Sequence, residues 1–277
     1  YVGQGGGAWA SAPAMNTARS GAGAGGTVTA AICAGGGGPA PTADEINTES
    51  YNGTAWSQTG NSLNQPRSYI NQTGTATAAL QFGGGQVMTE SYNGSAWTDT
   101  GNDMNTGRFG GASGGGPGGQ TASVLGGGYT TTYVSNTETY DGSTWTEVNN
   151  MNTAKTYMGW ASGSPSTDAI AFGGEPPGAG FTGETEKWDG TSWTEVADLN
   201  TDRREPSGFG TASPTAFCVS GNAPPVVTNV ESFDGTSWTE VADLATGRLV
   251  AACAGTPTAA LACGGSVPPA TNVVEEW

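Results

Sequence analysis

Short apolar runs recur along this chain, each preceded by small residues and most of them closed by a glycine pair: Gly35-Gly36, Gly83-Gly84, Gly126-Gly127, Gly173-Gly174 and Gly264-Gly265. The fifth copy departs, reading Ser220-Gly221-Asn222. Next come a variable loop and Glu-x-aromatic, at Glu49/Tyr51, Glu90/Tyr92, Glu138/Tyr140, Glu186/Trp188, Glu231/Phe233 and Glu275/Trp277. Asn-Gly or Asp-Gly follows at residues 52, 93, 141, 189 and 234, and then a Trp: Trp9, Trp56, Trp97, Trp145, Trp193 and Trp238, spaced 41 to 48 residues apart. The runs are too short for helices and are bounded by turn residues, which predicts strands. The Asn-Gly and Asp-Gly dipeptides predict tight hairpins with both central residues at positive φ.

Four short strands per repeat of about 45 residues is the period of a propeller blade. The strand ending in Gly-Gly, the Glu-x-Tyr, the following Trp and an Arg opening the first strand together resemble the kelch repeat, and the resemblance covers essentially the whole chain. It implies an all-β, six-bladed β-propeller of kelch type with four-stranded antiparallel blades. The repeats fall at about 10–56, 57–97, 98–145, 146–193, 194–238 and 239–277, all within one domain. Trp277 holds the Glu-x-aromatic position without a following Trp, and the missing piece stands at 1–9, in Gly5-Gly6-Gly7-Ala8-Trp9. The N-terminal strand is therefore expected to complete the last blade, with the two ends inside one hairpin turn.

Composition narrows the function. The 277 residues contain 48 Gly, only 12% charged residues and a formal charge of −16, which disfavours nucleic acid as a partner. Nine Trp in strict order argue against disorder despite the glycine content. No apolar stretch approaches membrane length, so no insertion is expected. The chain opens on Tyr1 with no initiator Met or signal peptide, and it reads as processed or as part of something longer. With no His at all, the imidazole ligands of the copper-radical oxidases among such propellers cannot be assembled, nor can His-based nucleophile systems. No CxxC pair is present, and no metal or other cofactor is expected. Cys33 and Cys218 repeat one position in different blades. Cys253 and Cys263 flank a turn, where a hairpin disulfide is one reading and small core thiols the favoured one. Most carboxylates obey the repeat. The outliers Asp44, Glu45, Asp168, Glu175 and Glu205 show no pairing, so no catalysis is expected, with a carbohydrate-active enzyme as the weaker alternative.

Six of the eight Lys and Arg share one repeat position: Arg19, Arg67, Arg108, Lys155, Arg203 and Arg248. One reading makes them a ring for an anionic ligand, with Arg67, Arg108 and Lys155 as candidate binding residues. The favoured reading pairs each with the Glu of a Glu-x-aromatic. Tyr69, Phe109 and Tyr157 follow three of the cations. The loops between second and third strands (39–47, 128–136, 175–183, 222–229 and 266–272) vary, and carry Tyr129, Tyr133 and Phe181. Aromatics on loops of a rigid scaffold suit stacking on sugars or peptides; packing on neighbouring loops is the alternative. The Thr/Asn-rich, Lys-poor repeats resemble kelch-like repeats in structural proteins of marine bacteriophages. That resemblance implies an extracellular virion module, in a tail fibre or appendage of many copies, which binds a host-surface glycan or protein or other virion proteins. The alternative is a secreted or cell-surface bacterial module that holds protein partners.

Overall fold

The computed structural model describes residues 7–38, 45–178 and 180–277. They form six separate four-stranded sheets. Blade 1 runs outward from the axis through Gly23–Thr27, Ala30–Ala34, Thr48–Tyr51 and Trp56–Gln58. Blade 2 comprises Ile70–Thr75, Ala78–Gly83, Glu90–Tyr92 and Trp97–Asp99. Blade 3 comprises Ala112–Gly114, Ser123–Tyr129, Tyr133–Tyr140 and Trp145–Val148. Blade 4 has Gly159–Trp160, Ile170–Phe172, Thr185–Trp188 and Trp193–Val196, and blade 5 has Ser207–Phe209, Phe217–Val219, Val230–Phe233 and Trp238–Glu240. Blade 6 takes Ala252–Thr256, Ala259–Cys263 and Val274–Glu276 from the C-terminal part of the chain and Ala10–Ala12 from the N-terminal part. Each innermost strand neighbours the next, and that of blade 6 neighbours that of blade 1, so the ring is closed. This is a six-bladed β-propeller.

The closing strand pairs Ala10 with Glu276 and Ala12 with Val274, and the Trp9 and Trp277 rings meet at 5.6 Å. The strand thus starts at residue 10, just past the expected 1–9. A similar offset recurs in the other five blades, where the repeat Trp opens the outermost strand and does not close it. Gly5 and Gly6 lie outside the described residues.

Six apolar clusters hold the fold together, one between each pair of adjacent blades. Ile32 and Ala34 of blade 1 pack with Ile70, Tyr92 and Trp97 of blade 2, and Leu80 and Phe82 of blade 2 pack with Tyr140 and Trp145 of blade 3. The large aromatics fill the wedge that opens outward between sheets. Small residues crowd the axis: a Cβ on Gly23 would fall 2.6 Å from Gln72 Cβ.

The glycine pair also seals the inter-blade seam. At the second residue of each pair the backbone is left-handed, φ 93° at Gly36 and 100° at Gly265. In blades 1, 3, 4, 5 and 6 this residue's amide donates to the carbonyl of the next blade's repeat cation: Gly36 to Arg67 (3.0 Å), Gly128 to Lys155 (2.9 Å), Gly174 to Arg203 (2.8 Å), Gly221 to Arg248 (3.2 Å) and Gly265 to Arg19 (2.8 Å). In blade 2 the same role falls to Gly85, which donates to Arg108 at 3.2 Å. In blade 3 the pair is Gly127-Gly128, one residue later than expected, because the strand register shifts between Gly126 and Gly128. In blade 5, Ser220 adopts φ 57° where the other blades have glycine.

The Asn-Gly and Asp-Gly hairpins differ from expectation. Tyr51 pairs directly with Trp56, leaving a four-residue loop in which only the glycine has positive φ (90° at Gly53). The Asn52 side-chain oxygen accepts the amides of Thr54 and Ala55, both at 2.9 Å, and Asp141, Asp189 and Asp234 repeat the arrangement at 2.8 Å. Such a turn needs an acceptor oxygen on Cγ, three bonds from Cα, which explains why Asn and Asp interchange there. The donated bonds hold the Asp141 carboxyl down to about 2.

All four cysteines are free and buried. Cys253 sits opposite Ala262 and Cys263 opposite Ala252, so the two thiols project to opposite faces of blade 6, one into the cluster shared with blade 5 and the other into that shared with blade 1. Burial pushes the Cys253 thiol up to about 12.

Candidate functional site

The repeat cations lead into each innermost strand, and their side chains turn back into the blade. Arg19, Arg67 and Arg108 pair with Glu49, Glu90 and Glu138 at 2.8, 2.5 and 2.7 Å, and Arg203 and Arg248 pair with Glu231 and Glu275. Lys155 lies 3.6 Å from both Glu184 and Glu186. Every one of these cations is at most 1% exposed. The second oxygen of each repeat Glu accepts a backbone amide, from Asn16, Asn64, Asn105, Asn152, Asn200 or Ala245. The pairing reading is therefore the one that the geometry supports. Arg67, Arg108 and Lys155 do not form a ligand site, because their charge is buried and already matched inside the blade.

Two residues beyond each cation the chain reaches the channel mouth, and all six residues there are left-handed: Gly21 (φ 61°), Tyr69 (53°), Gly110 (69°), Tyr157 (56°), Glu205 (57°) and Val250 (44°). The conformation serves a ring of hydrogen bonds between blades. Glu205 donates to Tyr157 at 2.8 Å, Val250 to Glu205 at 3.0 Å and Gly21 to Val250 at 2.9 Å, while the carbonyls of Gly21 and Gly110 accept from Ile70 and Met158. Glycine adopts this shape freely, whereas for Tyr, Glu and β-branched Val it costs about 1–3 kcal/mol each. Two blades use glycine; the other four place a side chain over the axis.

The variable loops lie on this same face, where the segment after the cation bridges to them, as Phe109 does with Tyr129, Thr156 with Glu175 and Arg204 with Asn222. Aromatic rings from blades 2, 3 and 4 converge there. Tyr69, Phe109 and Tyr157 form a triangle with centroid separations of 6.1, 5.8 and 5.3 Å. Phe109 continues to Tyr129 (5.4 Å), and Tyr129 to Tyr133 (5.3 Å). Tyr129 and Tyr133 sit on strand ends, since the expected loop at 128–136 is largely a hairpin whose strands pair as far as these two residues. The Arg204 guanidinium of blade 5 lies 4.9 Å from the Phe181 ring and 5.9 Å from that of Tyr157. All six rings are partly exposed.

Glu175, Arg204 and Glu205 join this cluster, and no sequence pattern paired them. Arg204 bridges to Glu175 at 2.6 Å, and Tyr133 donates its hydroxyl to the same carboxylate at 2.8 Å. Burial would raise the Glu175 carboxyl, but the bonds from Arg204 and Tyr133 prevail and hold it below its ordinary range. Glu205 is 8% exposed and accepts from the Tyr69 hydroxyl at 3.3 Å; burial pushes its carboxyl up, against the pull of Arg204. The other outliers lie apart: Asp168 meets Lys187 at 3.5 Å, Glu45 accepts from Asn47, and Asp44 lies outside the described residues.

Beneath the mouth residues lies a cavity of about 50 Å³, lined among others by Tyr69, Gln72, Tyr157, Glu205 and Ser207. The opposite channel mouth is wider, about 570 Å³, and is walled by glycines, alanines, threonines and prolines such as Gly26, Thr75, Pro117 and Thr211, with no aromatic or charged side chain among the described lining residues. Shape alone would favour the wide mouth, whereas side-chain chemistry is concentrated at the narrow one.

No protein-family model matches the chain, and no curated protein matches it. The architecture is nevertheless a known one. The solved structure of YjhT superposes with a TM-score of 0.72, covering 95% of this chain and 95% of that one at 11% identity. That likeness shows the fold alone. Among the described residues no helix is long and apolar enough to cross a membrane, and no group of His, Cys, Asp and Glu is placed to hold a metal.

Proposed function

We propose that this propeller is a non-catalytic recognition module of kelch type, and that its binding site is the aromatic mouth built from blades 2 to 5. The observation that carries this reading is the combination of convergence with backbone cost. Tyr69, Tyr157 and Glu205 occupy left-handed positions that glycine fills in blades 1 and 3, and they aim side chains over one channel end. A fold that needed only closure would use glycine throughout; strained side chains clustered on one face are a feature of ligand clamps. The partly exposed rings present flat apolar faces suited to sugars or peptides, held by a scaffold of packed sheets. Glu175 is engaged by Arg204 and Tyr133, which suits a positioning role better than proton transfer.

The module's setting follows from its repeats. Near-identical Asn-Gly-Thr/Ser-x-Trp-Thr repeats, set in blades rich in Gly, Ala, Thr and Asn, resemble kelch-like repeats of marine bacteriophage structural proteins. An acidic, Lys-poor surface stays soluble in salt, and an appendage carrying many copies turns weak contacts into avidity. We place the protein on a virion, in a tail fibre or appendage, contacting a host-surface glycan or protein. A glycan array with purified protein tests this. Binding is expected on the wild type and is expected to drop at least tenfold in Tyr69→Ala and Tyr157→Ala with the unfolding midpoint retained. Absence of binding across a broad array, or binding indifferent to both substitutions, contradicts the assignment and favours a purely structural role.

A further inference from the structure

The charge balance of the molecule specifies the class of ligand. Of eight Lys and Arg, six are buried in pairs within blades, and the remaining two, Arg204 and Lys187, bridge to Glu175 and Asp168. No cation among the described residues is left to meet an anionic ligand, on a chain of formal charge −16. At the narrow mouth the imbalance runs the other way. Glu205 is the one charged side chain among the described residues lining the cavity beneath the mouth. Its sole hydrogen bond there is a long one from the Tyr69 hydroxyl, 3.3 Å, since the neighbouring Arg204 is committed to Glu175. Glu205 is therefore a largely buried carboxylate without an ion-pair partner among the described residues, held in place by a left-handed backbone.

Its walls are aromatic. The Tyr69 and Tyr157 rings stand 5.3 Å apart at 62°, and the electron-rich face of Tyr157 already has the Arg204 guanidinium 5.9 Å away. Faces of this kind attract cations, and most strongly where water is excluded. A second, independent feature points to a ligand or an ordered water. Gln72, 1% exposed, and Ser207, 6% exposed, line the same cavity; among the described residues the Gln72 Nε2 atom has no hydrogen-bond partner, and the Ser207 hydroxyl has none beyond the weakly bonding Cys253 thiol. Buried polar atoms are nearly always satisfied, and a cavity of about 50 Å³ has room for a hydroxyl group or a water but not for a sugar ring.

We propose that the mouth recognises a substituted ammonium group, with Glu205 as its charge partner, the Tyr69 and Tyr157 rings as its walls, and Gln72 and Ser207 meeting a hydroxyl that the same ligand carries nearby. This rests on the recognition reading of the same mouth and deepens it. Two sources share that chemistry, a choline-type quaternary headgroup and an amino sugar, and the experiment separates them.

Isothermal titration with choline, glucosamine, 3,3-dimethyl-1-butanol (the uncharged isostere of choline), N-acetylglucosamine and glucuronic acid provides the test. Choline or glucosamine is expected to bind at least tenfold more tightly than its uncharged counterpart, and the stronger of the two identifies the source. Glu205→Gln is expected to lower that affinity at least tenfold without lowering the unfolding midpoint, because ionising the buried carboxylate opposes folding. Tyr157→Leu supplies a second variant that removes a wall and leaves the charge. Equal binding of the uncharged counterparts, tighter binding of glucuronic acid, or silence from every probe overturns the ammonium assignment. If uncharged sugars bind and Tyr157→Leu abolishes it, the mouth remains a recognition site and only the charge class is wrong. If no binding responds to Tyr157→Leu, both readings fall.

Discussion

Two tryptophans show how a single side chain records its neighbour. The indole nitrogens of Trp97, Trp145, Trp193 and Trp238 donate to Thr48, Thr89, Thr137 and Thr185 of the preceding blade, at 2.9 to 3.2 Å. Those of Trp9 and Trp56 are buried without a partner among the described residues. The repeat explains the difference: the corresponding residues on blades 5 and 6 are Val230 and Val274, which offer no oxygen. Val→Thr in a core is ordinarily destabilising, since it buries a hydroxyl. Val274→Thr is expected to do the opposite here, raising unfolding free energy by about 0.5–1.5 kcal/mol as the Trp56 donor is satisfied. A denaturant midpoint that falls in this variant would show that the indole is already satisfied by other means.

At the level of the element, each blade is stitched by one buried cation and one buried glutamate between its leading segment and its third strand. Both partners of such a pair are held by further hydrogen bonds: Arg108 donates to Glu138 and to the Leu125 carbonyl, and the glutamate also accepts from the Asn105 backbone and side chain. Removing one partner leaves an uncompensated buried charge. Glu138→Gln is expected to cost about 3–5 kcal/mol, and the double variant Arg108→Met/Glu138→Gln to recover part of that, as read by chemical denaturation. If the single variant were neutral, the cations would be free for other work. This stitching was legible in the sequence because both partners recur with the repeat, and so were the blades, the closing strand and the aromatic candidates. What remained hidden follows from geometry beyond the repeat. Glu175 and Arg204 are 29 residues apart on different blades and meet only because blades 4 and 5 pack side by side. The turn at Asn52 was misread because an Asn-Gly pair suits both a two-residue turn and a four-residue loop, and only the Tyr51–Trp56 register separates them.

For the whole molecule, ring closure creates two mouths of opposite character from one set of innermost strands. The wide mouth is formed by the connections between first and second strands, which are two-residue turns in blades 1, 2 and 6 and longer loops in blades 3, 4 and 5, and among the described lining residues they bring only small side chains. The narrow mouth is formed where the chain enters each blade, and there the residue that follows the cation by two varies freely, from Gly21 to Tyr69 to Glu205, while its left-handed backbone stays constant. The recognition proposed above sits on the face where a fixed backbone carries changing side chains. Hydrogen–deuterium exchange, with and without choline or glucosamine at saturation, reads this directly. Protection is expected in peptides spanning 67–72, 108–110, 155–158 and 203–207, with the opposite mouth around Gly26, Thr75, Pro117 and Thr211 unchanged. Protection confined to the wide mouth, or spread evenly over all six blades, would contradict the assignment.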